Sequence, residues 1–199
     1  VDNLKKITGT GSGRSVFTKA LNIIQLTISI VLIICTAIIY SQINYYKSAD
    51  LGFRTGNVIS INMSDEGVRK NYEAIKNRIK SSPNVEDVTG SMWSIPTQSS
   101  MGIGMTRVDD KTKKVNVEGL MVDYSFVNTL GLKLLEGRDF SAERGTEAGN
   151  LIITKSAIEA LGIDAPVGTK VNFGTIIGVV EDFHIHSFRK KIRPIVLQF

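Results

Sequence analysis

The chain has 199 residues, of which 42% are apolar and 22% are charged, and this composition excludes a collagen-like or wholly disordered protein. Its single cysteine excludes a disulfide framework and any multi-cysteine metal site. Much of the net charge of +5 lies in residues 1–19, which contain four bases and one acid. The part after residue 40 is nearly neutral, which argues against a protein that binds the phosphate backbone of nucleic acids.

Residues 20–40 predict a transmembrane helix. These 21 uncharged residues would span about 31 Å as a helix, close to the ~30 Å hydrocarbon core of a bilayer. The bases of residues 1–19 precede the span, so the positive-inside rule makes them a cytoplasmic tail and places everything after Tyr40 outside. The run is too long for the core of a signal peptide and lacks a small-residue cleavage site, so we expect an uncleaved helix.

One face of this helix is polar. Its four polar side chains fall within about 60° of one another at 100° per residue, and they are Asn22, Gln25, Ser29 and Thr36. Amides that face lipid tails are costly, so this face indicates packing against further helices. The alternative is that the weakly polar residues are scattered around the helix and are tolerated in the membrane. Thr27, which lies on the opposite side, favours this alternative. For Cys35 the default interpretation is a small packing residue.

The helix is predicted to continue beyond the span to about Ser48. Ile39, Ile43 and Tyr46 extend a helical stripe, and no proline occurs before Pro83. Residues 41–56 are therefore predicted to be a stalk above the membrane followed by a turn at residues 50–53.

Residues 57–92 predict a β-α-β unit. Residues 57–63 and 85–92 have strand patterns, and the segment between them has apolar residues at helical spacing. We expect Ser64 to be the N-cap of this helix, with Pro83 just past its end. Because the helix crosses between the strands, the unit predicts a parallel strand pair.

The remaining chain predicts a mixed α+β domain. A Ser- and Gly-rich loop begins after Trp93, and six further strands are predicted, at residues 102–108, 114–122, 151–153, 170–173, 175–180 and 195–199. Two short helices are expected, with Asp123 and Thr154 as N-caps. Each ends in a Leu-Gly-aliphatic triplet, and Gly131 and Gly162 fit the left-handed position of a Schellman motif.

Four motifs could carry chemistry, and each has a simpler interpretation. Residues 9–15 (GTGSGRS) lack the spacing of a phosphate-binding loop and are interpreted as a flexible linker. Asp182, His184 and His186 could share one strand face and hold a metal, but they end a strand and are interpreted as an ordinary loop. The basic run 188–193 is interpreted as a solvated face, with anionic lipid or a partner subunit as the alternative. No nucleophile has an activating context, so no catalytic, cofactor or metal residue is predicted.

An ordered set of short motifs resembles the FtsX/MacB-like permease subunits of ABC transporters, especially the duplicated form common in Bacteroidetes. The motifs are found at residues 12–15 (SGRS), 39–42 (IYSQ), 50–53 (DLGF), 57–59 (NVI), 130–132 (LGL), 137–140 (GRDF), 153–157 (ITKSA) and 178–184 (GVVEDFH), together with Gln25 and residues 29–30. Each motif is weak alone, whereas their order across nearly the whole chain is fairly specific.

The resemblance implies an extracytoplasmic domain with two parts. Residues 57–92 and 184–199 would belong to an incomplete porter-like part, and residues 93–183 to an inserted sabre-like part. It also implies that the rest of the porter-like part, three more membrane helices and an upstream repeat lie outside this chain. The expected location is the bacterial inner membrane, with a cytoplasmic N-terminus and a periplasmic domain.

The resemblance further implies a non-enzymatic permease subunit that transmits motion. A partner ABC ATPase would bind the ATP, a second permease copy would complete a dimer, and a periplasmic adaptor or cargo could join them. Efflux, lipoprotein release and control of cell-wall hydrolases are not separable from the sequence, and no substrate-contacting residue is predicted. Two other classes stay open: a membrane-anchored domain that senses an extracytoplasmic ligand, and an anchored envelope enzyme.

Overall fold

The computed structural model describes residues 12–48, 50–63, 65–95, 97, 100–145, 147–186 and 192–199. The chain divides into two compact units, Val1–Ala49 and Asp50–Phe199, and we call the second unit the body. The first contains a long helix. The body combines short helices with a seven-stranded sheet, which confirms the predicted mixed α and β class.

Helix α1, Ser12–Ser48, is continuous over 37 residues and about 55 Å. It includes the predicted span, residues 20–40, and the predicted stalk up to Ser48. Within it, Val16–Tyr46 is long and apolar enough to cross a membrane. The linker predicted at residues 9–15 is wrong from Ser12 onward, because a helix once nucleated adds one hydrogen bond for each further residue. Residues 9–11 lie outside the described residues.

Three hydroxyl groups of the span form hydrogen bonds within α1. Thr27, Ser29 and Thr36 each donate to the backbone carbonyl four residues earlier, at 2.8, 2.9 and 2.8 Å. Such back-bonding lets a hydroxyl group face lipid without a partner helix. The packing of the polar face against other helices therefore depends on the amides of Asn22 and Gln25, and it stays a prediction.

Two short helices replace the single helix predicted after residue 64. Helix α2 is Glu66–Lys70 and helix α3 is Tyr72–Lys80, with a break at Asn71. The Nδ2 of Asn71 donates to the carbonyl of Gly67 at 2.9 Å, and this local bond competes with a regular continuation. The N-cap is Asp65, whose carboxylate accepts from the amide of Val68 at 3.1 Å. The predicted cap, Ser64, lies outside the described residues.

The strands predicted at residues 57–63 and 85–92 are wrong. Among the described residues of both segments, Ser91 alone forms a bridge, with Val122. An alternating pattern shows which residues share a face, but a strand also requires a neighbour to accept its hydrogen bonds. Ile59 and Ile61 are 86% and 68% exposed, so these apolar residues of the alternating segment do not pack into a core of the body. The predicted parallel pair therefore does not form.

The other six predicted strands are present, with ends that differ by up to about two residues, and a seventh strand forms at Leu134–Gly137. They are β1 Met101–Thr106, β2 Lys114–Met121, β3 Leu134–Gly137, β4 Asn150–Thr154, β5 Lys170–Val171, β6 Gly174–Val180 and β7 Ile195–Gln198. The sheet order is β1-β2-β7-β4-β6-β3, with β5 also beside β6.

Strand β7 lies in the middle of this sheet, parallel to β2 and antiparallel to β4. The resemblance predicts that residues 184–199 belong with residues 57–92 to the porter-like part. The sheet instead joins β7 to the strands of residues 93–183. The porter-like and sabre-like identities of these ranges stay predictions.

Alternate residues of the central strands face two cores. On one side of the sheet, Ile152, Ile195 and Leu197 pack with Phe126 of helix α4, Phe126–Thr129. On the other side, Leu151, Ile153 and Val196 pack with Leu161 of helix α5, Lys155–Leu161. Near-continuous apolar strands are expected where both faces of a sheet are covered. We call the second side the α5 face.

Both short helices end as predicted. Gly131 and Gly162 have φ values of 61° and 65°, and the amide after each glycine bonds to the carbonyl five residues earlier, at 2.8 and 3.2 Å. Thr154 is the N-cap residue of α5. The expected N-cap of α4, Asp123, is wrong: Ser125 occupies that position with a φ of 64°, and Asp123 bonds elsewhere.

A hydrogen bond network around the fully buried Glu147 organises the loop between β3 and β4. Its carboxylate accepts from both terminal nitrogens of Arg138 at 2.7 and 3.1 Å, from the Ser141 amide at 3.1 Å and from the Asn150 amide group at 2.5 Å. The Arg138 guanidinium contributes most to lowering the pKa of Glu147 to about 2, while burial acts in the opposite direction. The ionised form is thus the stabilising one.

Replacing Glu147 with Gln should therefore lower the stability most at neutral pH. A lowered carboxyl pKa contributes stability above its unfolded value near 4.5, and this contribution is lost as the pH falls toward about 2. We expect a difference on the order of 3 kcal/mol at pH 7, shrinking at pH 3. Thermal unfolding of the detergent-solubilised chain at pH 7, 4.5 and 3 measures it. Glu143→Gln, an exposed change in the same loop, is the control, and a pH-independent difference for Glu147→Gln would contradict this account.

Candidate functional site

Residues 50–54 connect α1 to the body along the chain, and we call them the junction segment. They belong to the body, and they start with a local turn in which the Asp50 carboxylate accepts from the Gly52 amide at 2.8 Å. The Leu51 carbonyl accepts from the His184 amide at 2.9 Å, and the Arg54 amide donates to the Leu130 carbonyl at 2.7 Å. The segment is thus bonded to the connection after β6 on one side and to the end of α4 on the other.

Gly52 lets the junction segment lie directly on the β6–β7 connection. Its φ is +77°, and a Cβ there would lie 2.6 Å from the carbonyl oxygen of Asp182 and 2.9 Å from Cα of Phe183. Only glycine fits such a close approach in this backbone conformation. The next residue, Phe53, packs against the α4 side of the core, whose buried members include Phe183. Backbone hydrogen bonds and apolar contacts therefore both hold the junction segment against the rest of the body.

A buried charge cluster holds the other end of the β6–β7 connection. Glu118 of β2 is 3% exposed, and it contacts Nε2 of His186 at 2.9 Å, the Arg193 guanidinium at 3.2 Å and the Ser100 hydroxyl at 3.3 Å. Nδ1 of His186 lies 2.8 Å from the Thr97 carbonyl oxygen. Both ring nitrogens of His186 therefore face an oxygen that can accept a hydrogen bond, a backbone carbonyl at Nδ1 and a carboxylate at Nε2.

Charged groups also attach α3 to the rest of the body. Tyr72 and Lys76 of this helix both donate to the Asp123 carboxylate, and Lys80 contacts the Asp87 carboxylate at 2.7 Å. Burial, followed by the hydrogen bond to Asp123, raises the pKa of the Tyr72 phenol. Neither α2 nor α3 contains a fully buried residue. The helix is therefore attached by ion pairs and hydrogen bonds more than by an apolar face.

The residues proposed from sequence as a possible metal cluster are directed to different partners. The Asp182 carboxylate accepts from the Ser156 amide at 3.0 Å at the start of α5. His184 bonds Leu51 through its backbone, and His186 bonds Glu118. Among the described residues, no group of three or more His, Cys, Asp or Glu side chains could hold a metal ion.

Two other predicted features are only partly described. In the basic run, residues 188–191 lie outside the described residues, and Arg193 bonds Glu118, so its interpretation as a lipid-binding or partner-binding surface stays a prediction. Cys35 is exposed on α1. Sequence reasoning missed Glu118, whose signal was a single acid next to the apolar residues in the second half of β2.

The sequence of the chain matches a known protein family. A family model for the MacB-like periplasmic core domain matches residues 20–192. The chain belongs to this family. It is thereby part of a membrane-anchored domain family of ABC-transporter permeases, which implies an ABC ATPase as partner. The resemblance to MacB-like permeases is thus confirmed, whereas the Bacteroidetes-type duplication stays a prediction.

Solved structures similar to this chain include two transporter domains. One is the periplasmic region of MacB from Actinobacillus actinomycetemcomitans, 16% identical over 69% of this chain and 72% of that chain, with a TM-score of 0.45. Another is the extracellular domain of the noncanonical ABC-type transporter YknZ from Gram-positive bacteria, 19% identical over 68% of this chain and 67% of that chain, with a TM-score of 0.45. A search of curated proteins finds no match.

Replacing Gly52 with Ala should loosen the junction segment. The new methyl group would clash with the backbone of residues 182–183, and the left-handed φ adds strain, so we expect a loss of about 2 kcal/mol or more. Hydrogen–deuterium exchange of the solubilised chain should become faster at the His184 amide. The matched control is Gly56→Ala, because nothing lies within 4 Å of a Cβ at Gly56 and its φ is not left-handed. Equal exchange rates of the His184 amide in both variants would show that the close approach at Gly52 does not stabilise the junction segment.

Proposed function

We propose that this chain belongs to a permease subunit that transmits motion between the cytoplasmic side of a membrane and a periplasmic domain. Hydrolysis of ATP by a partner ABC ATPase would supply the motion, and α1 with the junction segment would carry it to the body. The observation on which the proposal depends is that a continuous helix leads directly into a segment that is fixed to the body.

The continuity of α1 supports this role. A helix of about 55 Å is longer than the ~30 Å hydrocarbon core, so it can reach from the membrane well into the aqueous phase. The described part of α1 contains no proline, and its span hydroxyls close hydrogen bonds within the helix. Such a helix resists bending along its length, as an element that transmits force must.

The bonding of the junction segment supports it as well. A flexible linker after a helix would absorb a displacement instead of passing it on. Here the backbone bonds of Leu51 and Arg54 and the packing of Gly52 and Phe53 tie the chain within five residues to the α4 side of the core. A displacement of residue 50 therefore acts on the sheet rather than on a loose loop.

The proposal includes the partners and the location. The chain would carry no catalytic activity of its own, and the ATP would bind to the ATPase subunit. A second permease copy would complete a dimer in the inner membrane, with residues 1–19 in the cytoplasm and the body in the periplasm. Efflux, or lipoprotein or peptide export with a periplasmic adaptor, would follow from the same motion. A signalling domain in place of an ATPase partner would favour the sensing alternative instead.

Gln42→Pro tests the transmission. Proline removes a backbone donor and clashes with the carbonyl of Ile38, which kinks the helix above the span. We would assemble the full permease with its ATPase, replace Cys35 with Ser and place a spin label at Lys111→Cys, an exposed position of the body. In the protein with Gln42, ATP should change the distance between the labels of the two copies. In Gln42→Pro, this change should be lost while ATP is still hydrolysed.

Gln42→Ala, which keeps the helix, is the matched control and should retain the ATP-dependent change. Co-purification with the ATPase checks assembly of each variant. If proline prevents assembly, the softer double change Ser41→Gly and Gln42→Gly replaces it. An unchanged response in an assembled kinked variant would refute α1 as the transmitting element. No ATP-dependent change with Gln42 in place would refute the proposed function itself.

A further inference from the structure

Three exposed methionines occupy neighbouring positions at one end of the α5 face. The chain has five methionines, and Met92, Met101 and Met121 are 53%, 44% and 48% exposed. Methionine is among the residues most often buried, so three half-exposed thioethers close to one another require an explanation. Their positions follow from the register of β2 with its neighbours on one side.

Met101 and Met121 lie on the same face of the sheet. Met101 is paired with Gly119, which lies two residues before Met121 on β2, so Met101 and Met121 are diagonal neighbours. Diagonal pairs on one face lie about 7–8 Å apart at Cβ, within reach of long side chains. Gly119 lies between them and has no side chain. A Cβ at this position would lie 2.3 Å from the Cδ1 of Ile103, so the Ile103 side chain covers the backbone between the two methionines.

Met92 continues the row of β1 beyond Met101. Ser91 bridges Val122 in antiparallel fashion, and the Met92 amide donates to the Met121 carbonyl at 2.9 Å, which sets Met92 directly opposite Met121. Ser91 pairs with Val122, which packs on the α4 side of the core, so the next residue, Met92, is directed to the α5 side. Opposite residues have Cβ atoms about 5 Å apart, and Met92 and Met101 are about 7 Å apart along the row.

The register thus places the three thioether side chains within reach of one another. Thioether sulfur selects Cu(I) over hard divalent ions, and the flexible methionine side chain can turn its sulfur toward a common centre. On β7, Gln198 is paired with Met121 on the same face, so its amide lies beside the three methionines. Among the described residues, the clusters of His, Cys, Asp and Glu that harder metals require are absent.

We propose that Met92, Met101 and Met121 form a binding site for a soft monovalent metal ion, Cu(I). The site lies in the body and is separate from the junction segment and from the Glu118 cluster. It requires no redox step, because the ion binds and leaves as Cu(I). This inference does not depend on the proposed transmission of motion, so either can fail without the other.

The test is a titration of the detergent-solubilised chain with Ag(I), a redox-inert soft ion, and with Cu(I) under ascorbate and a Cu(I)-selective chelating competitor. The measurements use a Cys35→Ser background, which removes the one competing thiol. We expect one equivalent to bind, at least tenfold weaker binding for each single Met→Leu change, and no saturable binding for the triple change. X-ray absorption of the Cu(I) form should show a shell dominated by sulfur.

Met63→Leu is the matched control, because it removes a thioether elsewhere in the body and should leave the affinity unchanged. Leucine conserves volume, and thermal unfolding checks that the triple variant stays folded. If that variant is unfolded, oxidation of the three methionines is compared by mass spectrometry with and without Ag(I), which should protect them together. Binding that survives the triple change, an absence of saturable binding, or equal oxidation with and without Ag(I) would overturn the proposal.

Discussion

The body depends on the insertion of β7 between β2 and β4. These three strands form the middle of the sheet, and β7 is parallel to one neighbour and antiparallel to the other. Its alternate residues enter both cores, with Ile195 and Leu197 on the α4 side and Val196 on the α5 face. Until residues 195–198 are in place, β2 and β4 have no common neighbour and neither core is closed. The sheet therefore depends on pairing between segments that are far apart in sequence, which is a slow and cooperative step in folding.

The same insertion determines what surrounds the junction segment. The connection from β6 to β7 passes Asp182 and Phe183, on which Gly52 lies, and then His186 and Arg193, which bond the buried Glu118. One connection thus holds the junction segment at its start and is itself held to β2 near its end. If the chain transmits motion as proposed, this shared connection would link the segment after the helix to the centre of the sheet. The path consists of backbone hydrogen bonds, close packing and buried charge, each of which resists small displacements.

The candidate site was predictable only in outline. The DLGF motif indicated a turn after the helix, and the turn is present with Gly52 in a left-handed conformation. Its partners were not predictable, because the sequence does not reveal that residues 51 and 184, or 54 and 130, become neighbours. Glu118 and Asp123 showed the same difficulty. Each is an ordinary acid in sequence, and the basic side chains that face it come from segments more than 45 positions away.

Local patterns in the sequence predict the apolar helix, the α+β class, six of the seven strands after residue 100 and the glycine ends of α4 and α5. These features depend on local periodicity, charge and backbone preference, which act within a few residues. Tertiary contacts determine that residues 57–63 and 85–92 form no strand pair, that β7 is central, and that three methionines occupy neighbouring positions of the sheet. Those outcomes depend on which distant edges supply hydrogen-bond partners and buried area, and a pattern read along one segment contains neither.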